Sequence, residues 1–169
     1  HRIALLQRAA HSMRLSPDPR SQALLADAMV ALARWQGRSG ASGDACASAA
    51  EAIAIRRRTL GDAHAGERAR ADTCALADIL RQSGQHDQAM DLYREILGAG
   101  AAGAPGQRTF ALATLGLAES LFAMGDTRAA AKRFNELLEP AGDGPPIPPH
   151  TRLRALRGLA NVYMFECDW

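Results

Sequence analysis

One pattern occurs twice in this chain, 41 positions apart. The first copy is Thr73, Leu76, Ala77, Leu80, Gly84, Ala89, Tyr93, Ile96 and Leu97. The second is Thr114, Leu117, Ala118, Leu121, Gly125, Ala130, Phe134, Leu137 and Leu138. Each pair agrees in size and polarity. A period of this length marks a stack of similar units, each burying its apolar face against the next. The chain is thereby directed toward an all-α scaffold that binds other proteins, and the repeat says nothing about which ones.

Helical spacing recurs almost everywhere. Over 67–83 the stripe includes Cys74, Ala77, Ile79 and Leu80, and Gly84 ends it as a helix-terminating glycine does. Over 86–98 one face carries Ala89, Tyr93, Ile96 and Leu97. Segments 107–124 and 127–139 form the next pair, with Gly125-Asp126 as the turn and Asp126 as N-cap. Adding 42 to Leu117, Ala118, Leu121 and Gly125 gives Leu159, Ala160, Tyr163 and Cys167, so a further first helix fits 150–166. In the other direction, Ala33 and Gly37 lie 47 before Leu80 and Gly84. Ala45, Ala49, Ala52 and Ile53 lie only 44 before Ala89, Tyr93, Ile96 and Leu97. The difference implies an insertion of three residues in the loop Gly37–Asp44. With a helix over 2–14, eight helices and no strand are expected.

The expected units of one 1–169 solenoid are 1–19, 20–66, 67–106, 107–149 and 150–169. Loops at Ser16–Pro19, Gly61–His64, Gly98–Gly106 and Gly142–Pro149 separate them. The last, DGPPIPP, favours polyproline II; a rigid spacer is expected there rather than an SH3-type ligand. The chain begins at His1 and stops at Trp169 inside a helical pattern, so an excised piece of a longer protein is expected.

Composition narrows the function. Apolar residues make up 47% of the chain but aromatics only 5%, which favours close helix contacts through alanine. The formal charge is +2, without the concentrated basic face of a nucleic-acid binder. The run Arg56-Arg57-Arg58, with Arg68 and Arg70, reads as a solvated helix end. No apolar run approaches the roughly 20 residues that span a bilayer, so neither nucleic acid nor membrane is expected as a partner. Cys46, Cys74 and Cys167 have no CxxC spacing, which argues against a disulfide framework or zinc site and for a reducing cytoplasm.

The repeated positions resemble the tetratricopeptide repeat (TPR). Leu76-Ala77, Leu80, Gly84, Ala89, Tyr93 and Ile96 carry its signature in one unit. Leu117-Ala118, Leu121, Gly125, Ala130, Phe134 and Leu137 carry it in the next. Residues 52–64 are similar to the long second helix and loop of the kinesin-light-chain-like subclass, with its period near 42. The resemblance implies a right-handed superhelical stack of helix hairpins. It also implies a concave groove lined by the first helix of each unit. Carried onto this sequence, the lining is Asp27, Arg34 and Trp35, then Cys74, Asp78, Arg81 and Gln82. Leu115, Glu119 and Phe122 follow, and then Arg154, Arg157, Asn161, Met164 and Phe165. Of the Lys/Arg and Asn pair that clamps a C-terminal carboxylate in some members, only Arg157 and Asn161 match. That argues against such a clamp within this chain. Apart from Asn161, the paired asparagines that grip peptide backbones are also absent.

No catalytic constellation is legible. None of His1, His11, His64, His86 and His150 has a second ligand at i+4, so no metal is expected. Cys74 lacks a nearby histidine and reads as a partly buried thiol rather than a nucleophile. GAGAAGAPG at 98–106 has neither a preceding strand nor GK[ST] and reads as a linker. The expectation is a non-enzymatic, cofactor-free module that binds a protein or peptide. The competing readings are an oligomerisation element built on the open helix 150–166, whose Leu156, Leu159, Ala160 and Tyr163 lack cover, and an ancillary region of a larger protein. The resemblance and the Ala/Arg-rich composition suggest a bacterial regulator for the latter: a serine/threonine kinase, an ATPase or a transcription regulator.

Overall fold

A computed structural model describes residues 8, 11–14, 18–60, 67–98, 108–139 and 147–167. Every regular element among them is an α-helix. We number these α1 (Pro19–Arg38), α2 (Ser42–Leu60), α3 (Glu67–Gln82), α4 (His86–Gly98), α5 (Arg108–Ala123), α6 (Thr127–Leu138) and α7 (Pro149–Cys167). Arg8 and residues 11–14 are also helical, inside the span expected at 2–14. The rest of that span, the loop at 61–64, the segment after Gly98 and the DGPPIPP stretch before Ile147 lie outside the described residues. The chain divides into two compact units, His1–Gln85 and His86–Trp169.

Three turns share one hydrogen-bond pattern. Gly40, Gly84 and Gly125 have φ of 83°, 80° and 86°, the left-handed region that costs a side chain and not glycine. The amide after each glycine donates to the carbonyl five residues back. Ala41 N reaches Gln36 O at 3.0 Å, and Gln85 N and Asp126 N reach Leu80 O and Leu121 O at 2.9 Å. This bond closes the helix by occupying a carbonyl its last turn would leave unpaired. Helix starts are equally local. Asp18 accepts from the Ser21 amide ahead of Pro19, and Asp126 accepts from the Ala129 amide at 3.0 Å.

The first turn corrects the sequence register. Gly40 takes the left-handed conformation, while Gly37 lies inside α1, where a Cβ would meet neighbours at an ordinary 3.9 Å. Gly40 precedes Gly84 by 44 positions, the same offset as in the second helices, so no three-residue insertion is present. Leu32-Ala33 then corresponds to Leu76-Ala77 and Leu117-Ala118. Gln36 falls where the later units have Leu80 and Leu121.

In the first unit, α1 and α2 pack along their length, and α3 lies against both. Its core joins Leu25, Met29, Val30 and Leu32 of α1 to Ala45, Ala49, Ala52 and Ile55 of α2 and to Leu76 and Ile79 of α3. Gln36 is buried (6% exposed), and its Oε1 accepts from Ser48 Oγ at 2.7 Å. The bond offsets the cost of enclosing an amide in the core. Arg14 forms a bidentate pair with Glu51, at 2.8 and 2.6 Å, and this hydrogen bonding raises the guanidinium pKa.

In the second unit, α5 packs against α4, α6 and α7, and α6 against α7. Two aromatic side chains organise it. Tyr93 is fully buried, and a Cβ at Gly116 would stand 2.3 Å from its ring. Phe134 is buried likewise, and a Cβ at Gly158 would stand 2.3 Å from its ring. The two ring–glycine pairs are successive copies of one contact: 93 and 134 differ by 41, 116 and 158 by 42. Each ring needs the hole that a missing side chain leaves. Burying such a ring fully is worth about 1.5–3 kcal/mol.

Candidate functional site

The structure places the groove residues in two separate groups. In the first unit, Asp27 is tied down. Its Oδ1 accepts from Arg56 Nη2 at 2.6 Å, and the same nitrogen lies 2.6 Å from Asp72 Oδ2. One guanidinium therefore clips α1, α2 and α3 together. This corrects the reading of Arg56 as solvated, because its side chain is only 12% exposed. The Arg57 and Arg68 side chains lie outside the described ones. Arg34 and Gln82 are exposed, and Trp35 is half-buried with the Arg38 guanidinium 4.8 Å from its ring centroid. Asp78 and Arg81 lie 3.5 Å apart, one turn along α3.

In the second unit, α5 and α7 lie side by side and bring four expected residues into two direct contacts. Arg154 chelates Glu119, with Nη2 at 2.9 and 2.8 Å from the two carboxylate oxygens and Nε at 3.2 Å from Oε1. Phe122 and Phe165 meet edge to face, 6.3 Å between centroids at 82°. Such a contact adds about 0.5–1.5 kcal/mol beyond burial. Phe165 nevertheless keeps 49% of its surface exposed. Arg157, Asn161 and Phe165 follow at i, i+4 and i+8 on α7 and share one stripe. Arg157 and Asn161 are exposed and have no hydrogen-bond partner among the described residues. The mutual neutralisation of Glu119 and Arg154 leaves Arg157 as the charge this stripe offers a ligand. Met164 is exposed too, and seven residues after Arg157 it borders that stripe on the side away from Phe165.

Two expected lining residues are not on a surface. Cys74 is 3% and Leu115 1% exposed. The corrected register explains both: with Val30 they occupy one repeated position, two residues before Leu32, Leu76 and Leu117. Val30 shares a core with residues of α3, and Leu115 shares one with Ala155 and Val162 of α7. The position serves stacking of successive first helices. Leu159, expected uncovered, is partly buried against the second core, whereas Leu156, Ala160 and Tyr163 are exposed as expected.

Among the described residues, no group of three His, Cys, Asp or Glu side chains could hold a metal ion, and no helix is long and apolar enough to cross a membrane. No protein-family model matches the sequence, and no curated protein matches it. In structure, the chain is similar to a Podosopora anserina protein assigned as a kinesin light chain with nearly identical TPR-like repeats. The TM-score is 0.75 over 98% of this chain and 78% of that one, at 19% identity. At that identity the likeness carries the fold alone: paired helices stacked as in TPR-like repeats.

Proposed function

We propose that this chain is a non-enzymatic protein-interaction scaffold, and that the face formed by α5 and α7 receives a peptide segment of its partner. One observation carries the reading. An aromatic pair, partly buried Phe122 and half-exposed Phe165, stands beside an exposed cation and an exposed amide, Arg157 and Asn161. Aromatic and arginine side chains supply most anchors at protein interfaces. The amide can hydrogen-bond an extended backbone. In the first unit, Asp27 acts as a structural clip.

The finer context is also part of the proposal. The chain serves as one portion of a larger bacterial regulatory protein, such as a serine/threonine kinase, an ATPase or a transcription regulator. Its Ala/Arg-rich composition supports the origin. Three cysteines, none of them in a disulfide, support a reducing, cytoplasmic setting. Selection of random peptides displayed on phage against the whole chain tests the reading. Enrichment of sequences that bind in solution is expected; failure to enrich any from a deep library would contradict it.

A second reading has its own observation. On the side of α7 turned from the core, Leu153 is 68% exposed, and Leu156, Tyr163 and Met164 are exposed as well. An apolar face of this kind favours self-association. Sedimentation velocity over a hundredfold concentration range separates the readings, a monomer throughout removing the second.

A further inference from the structure

α7 carries a seam that its own unit leaves uncovered. Leu153, Leu156, Ala160, Tyr163 and Cys167 follow one another at alternating steps of three and four, the spacing with which helices seat in a coiled coil. All five are exposed, while Ala155 and Val162 face the core from the far side of the helix. One flank of the seam carries opposite charges at its two ends. Arg152 and Glu166 each stand one residue before a seam position, 14 residues and so two heptads apart. Both are exposed, and neither side chain has a partner among the described residues. The other flank carries Arg157, two residues before Leu159. That is the repeated position of Val30, Cys74 and Leu115, which stacking buries in the earlier first helices. A further unit stacked on α7 in the same way would enclose the guanidinium, and an unpaired charge is costly to bury. The occupant of the seam therefore leaves Arg157 at its edge, in water.

We propose that a second copy of this chain covers the seam, its α7 packed antiparallel on the first about a two-fold axis. The proposal rests on the self-association reading and fixes its geometry. The axis sets the start of each helix against the end of the other. With Leu156 against the partner's Ala160, Leu153 falls against the partner's Tyr163, so the central layers pair a large side chain with a small one. In that register Arg152 meets the partner's Glu166, and symmetry makes the ion pair twice. Arg157 faces the partner's Arg157 once, across the axis on the exposed flank, one repulsion against two attractions. A parallel pair would lose both attractions and set Arg152 beside the partner's Arg157 twice. Size and charge thus select the same arrangement.

The test is sedimentation velocity of the whole chain from about 1 to 200 μM, because one helix pair makes a small interface and a weak one. Dimers are expected in the upper part of that range. Arg152→Glu and Glu166→Arg, both exposed changes that leave the core intact, are each expected to weaken association at least about tenfold, since like charges then meet twice. Mixed in equal amounts, the two variants are expected to recover wild-type association, because every such contact in the mixed pair again joins opposite charges. That recovery also shows that both variants fold. Arg157→Gln removes the single repulsion and is expected to tighten the dimer about threefold. A wild-type chain that stays monomeric overturns the proposal and the self-association reading together, and leaves the seam to a helix of another protein. A wild type that associates, with variants that do so equally well or a mixture that recovers nothing, overturns the proposal alone and places self-association in another register or on another surface.

Discussion

The two compact units close their helices with the same glycine turn and fill their interiors differently. In the second, Tyr93 and Phe134 insert into holes at Gly116 and Gly158. In the first, the corresponding positions are Ala49 and Ala75, and α2 presents Ala45, Ala49 and Ala52, all fully buried, to α1. What the aromatic–glycine pairs supply in one unit is supplied in the other by close alanine contact and polar ties: Gln36 with Ser48, and Arg56 between Asp27 and Asp72. A TPR-like hairpin therefore fixes its turn geometry through one residue and leaves its packing open. Large-into-nothing and small-against-small both satisfy it, provided the two partners change together.

The contrast breaks most visibly at the rings. Phe134→Ala empties the centre of the second core, and a loss of about 3–5 kcal/mol is expected in urea unfolding. Ala49→Gly, at the corresponding position of the first unit, should cost only about 1–2 kcal/mol, the helix-propensity difference and one buried methyl. Next in size is Gly116→Ala, expected to lose about 2–3 kcal/mol through overpacking against a ring with no room to move. Adding Tyr93→Ala recreates the alanine pair of the first unit, so the double variant should be clearly more stable than the sum of the single changes predicts. Strict additivity would mean that ring and glycine do not share a hole.

Arg56→Met probes the polar solution of the first unit. It takes the Arg56 cation from Asp72, whose side chain is only 19% exposed, at a cost of about 2 kcal/mol after allowing for the partial exposure of both carboxylates. The smallest pair of effects has opposite signs. Gly40→Ala should destabilise by about 1 kcal/mol, because its φ is positive. Gly37→Ala, inside a helix with room for a methyl, should stabilise by a few tenths to about 1 kcal/mol. Thermal melts of the two variants check the turn register directly, and a reversed order would restore the three-residue insertion.

Where the period repeats cleanly, the fold is legible without coordinates. Gly84, Gly125 and Asp126 announce their turns and cap, and Tyr93 and Phe134 their place in the core. The first unit is harder to read for a physical reason. GRSGASGD offers three glycines, and only the backbone conformation selects Gly40. Gln36 also breaks the apolar pattern at the position that would have fixed the register. The candidate site is legible as a set of positions and not as a set of contacts. Glu119 and Arg154 can both be assigned to first helices, yet nothing local to either, 35 residues apart, says that they satisfy each other. The same holds for Arg56, whose carboxylates lie on two other helices. Cys74 and Leu115 look like lining because the repeat signature leaves their position unassigned, and only the stacking of successive first helices shows them to be buried.

The most direct measurement is the affinity of one display-selected peptide, by calorimetry, for the wild type and for two double variants on opposite sides of α7. Arg157→Ala with Phe165→Ala removes the cation and the exposed ring of the proposed binding stripe. Leu156→Lys with Tyr163→Lys alters the exposed apolar face across the helix from that stripe. With helicity unchanged in both, the first should weaken binding by at least about thirtyfold, roughly 2 kcal/mol, as loss of an interface anchor does. The second should leave affinity within about twofold. Binding that survives the first pair and fails with the second would contradict the account and place the interaction on the outer face of α7.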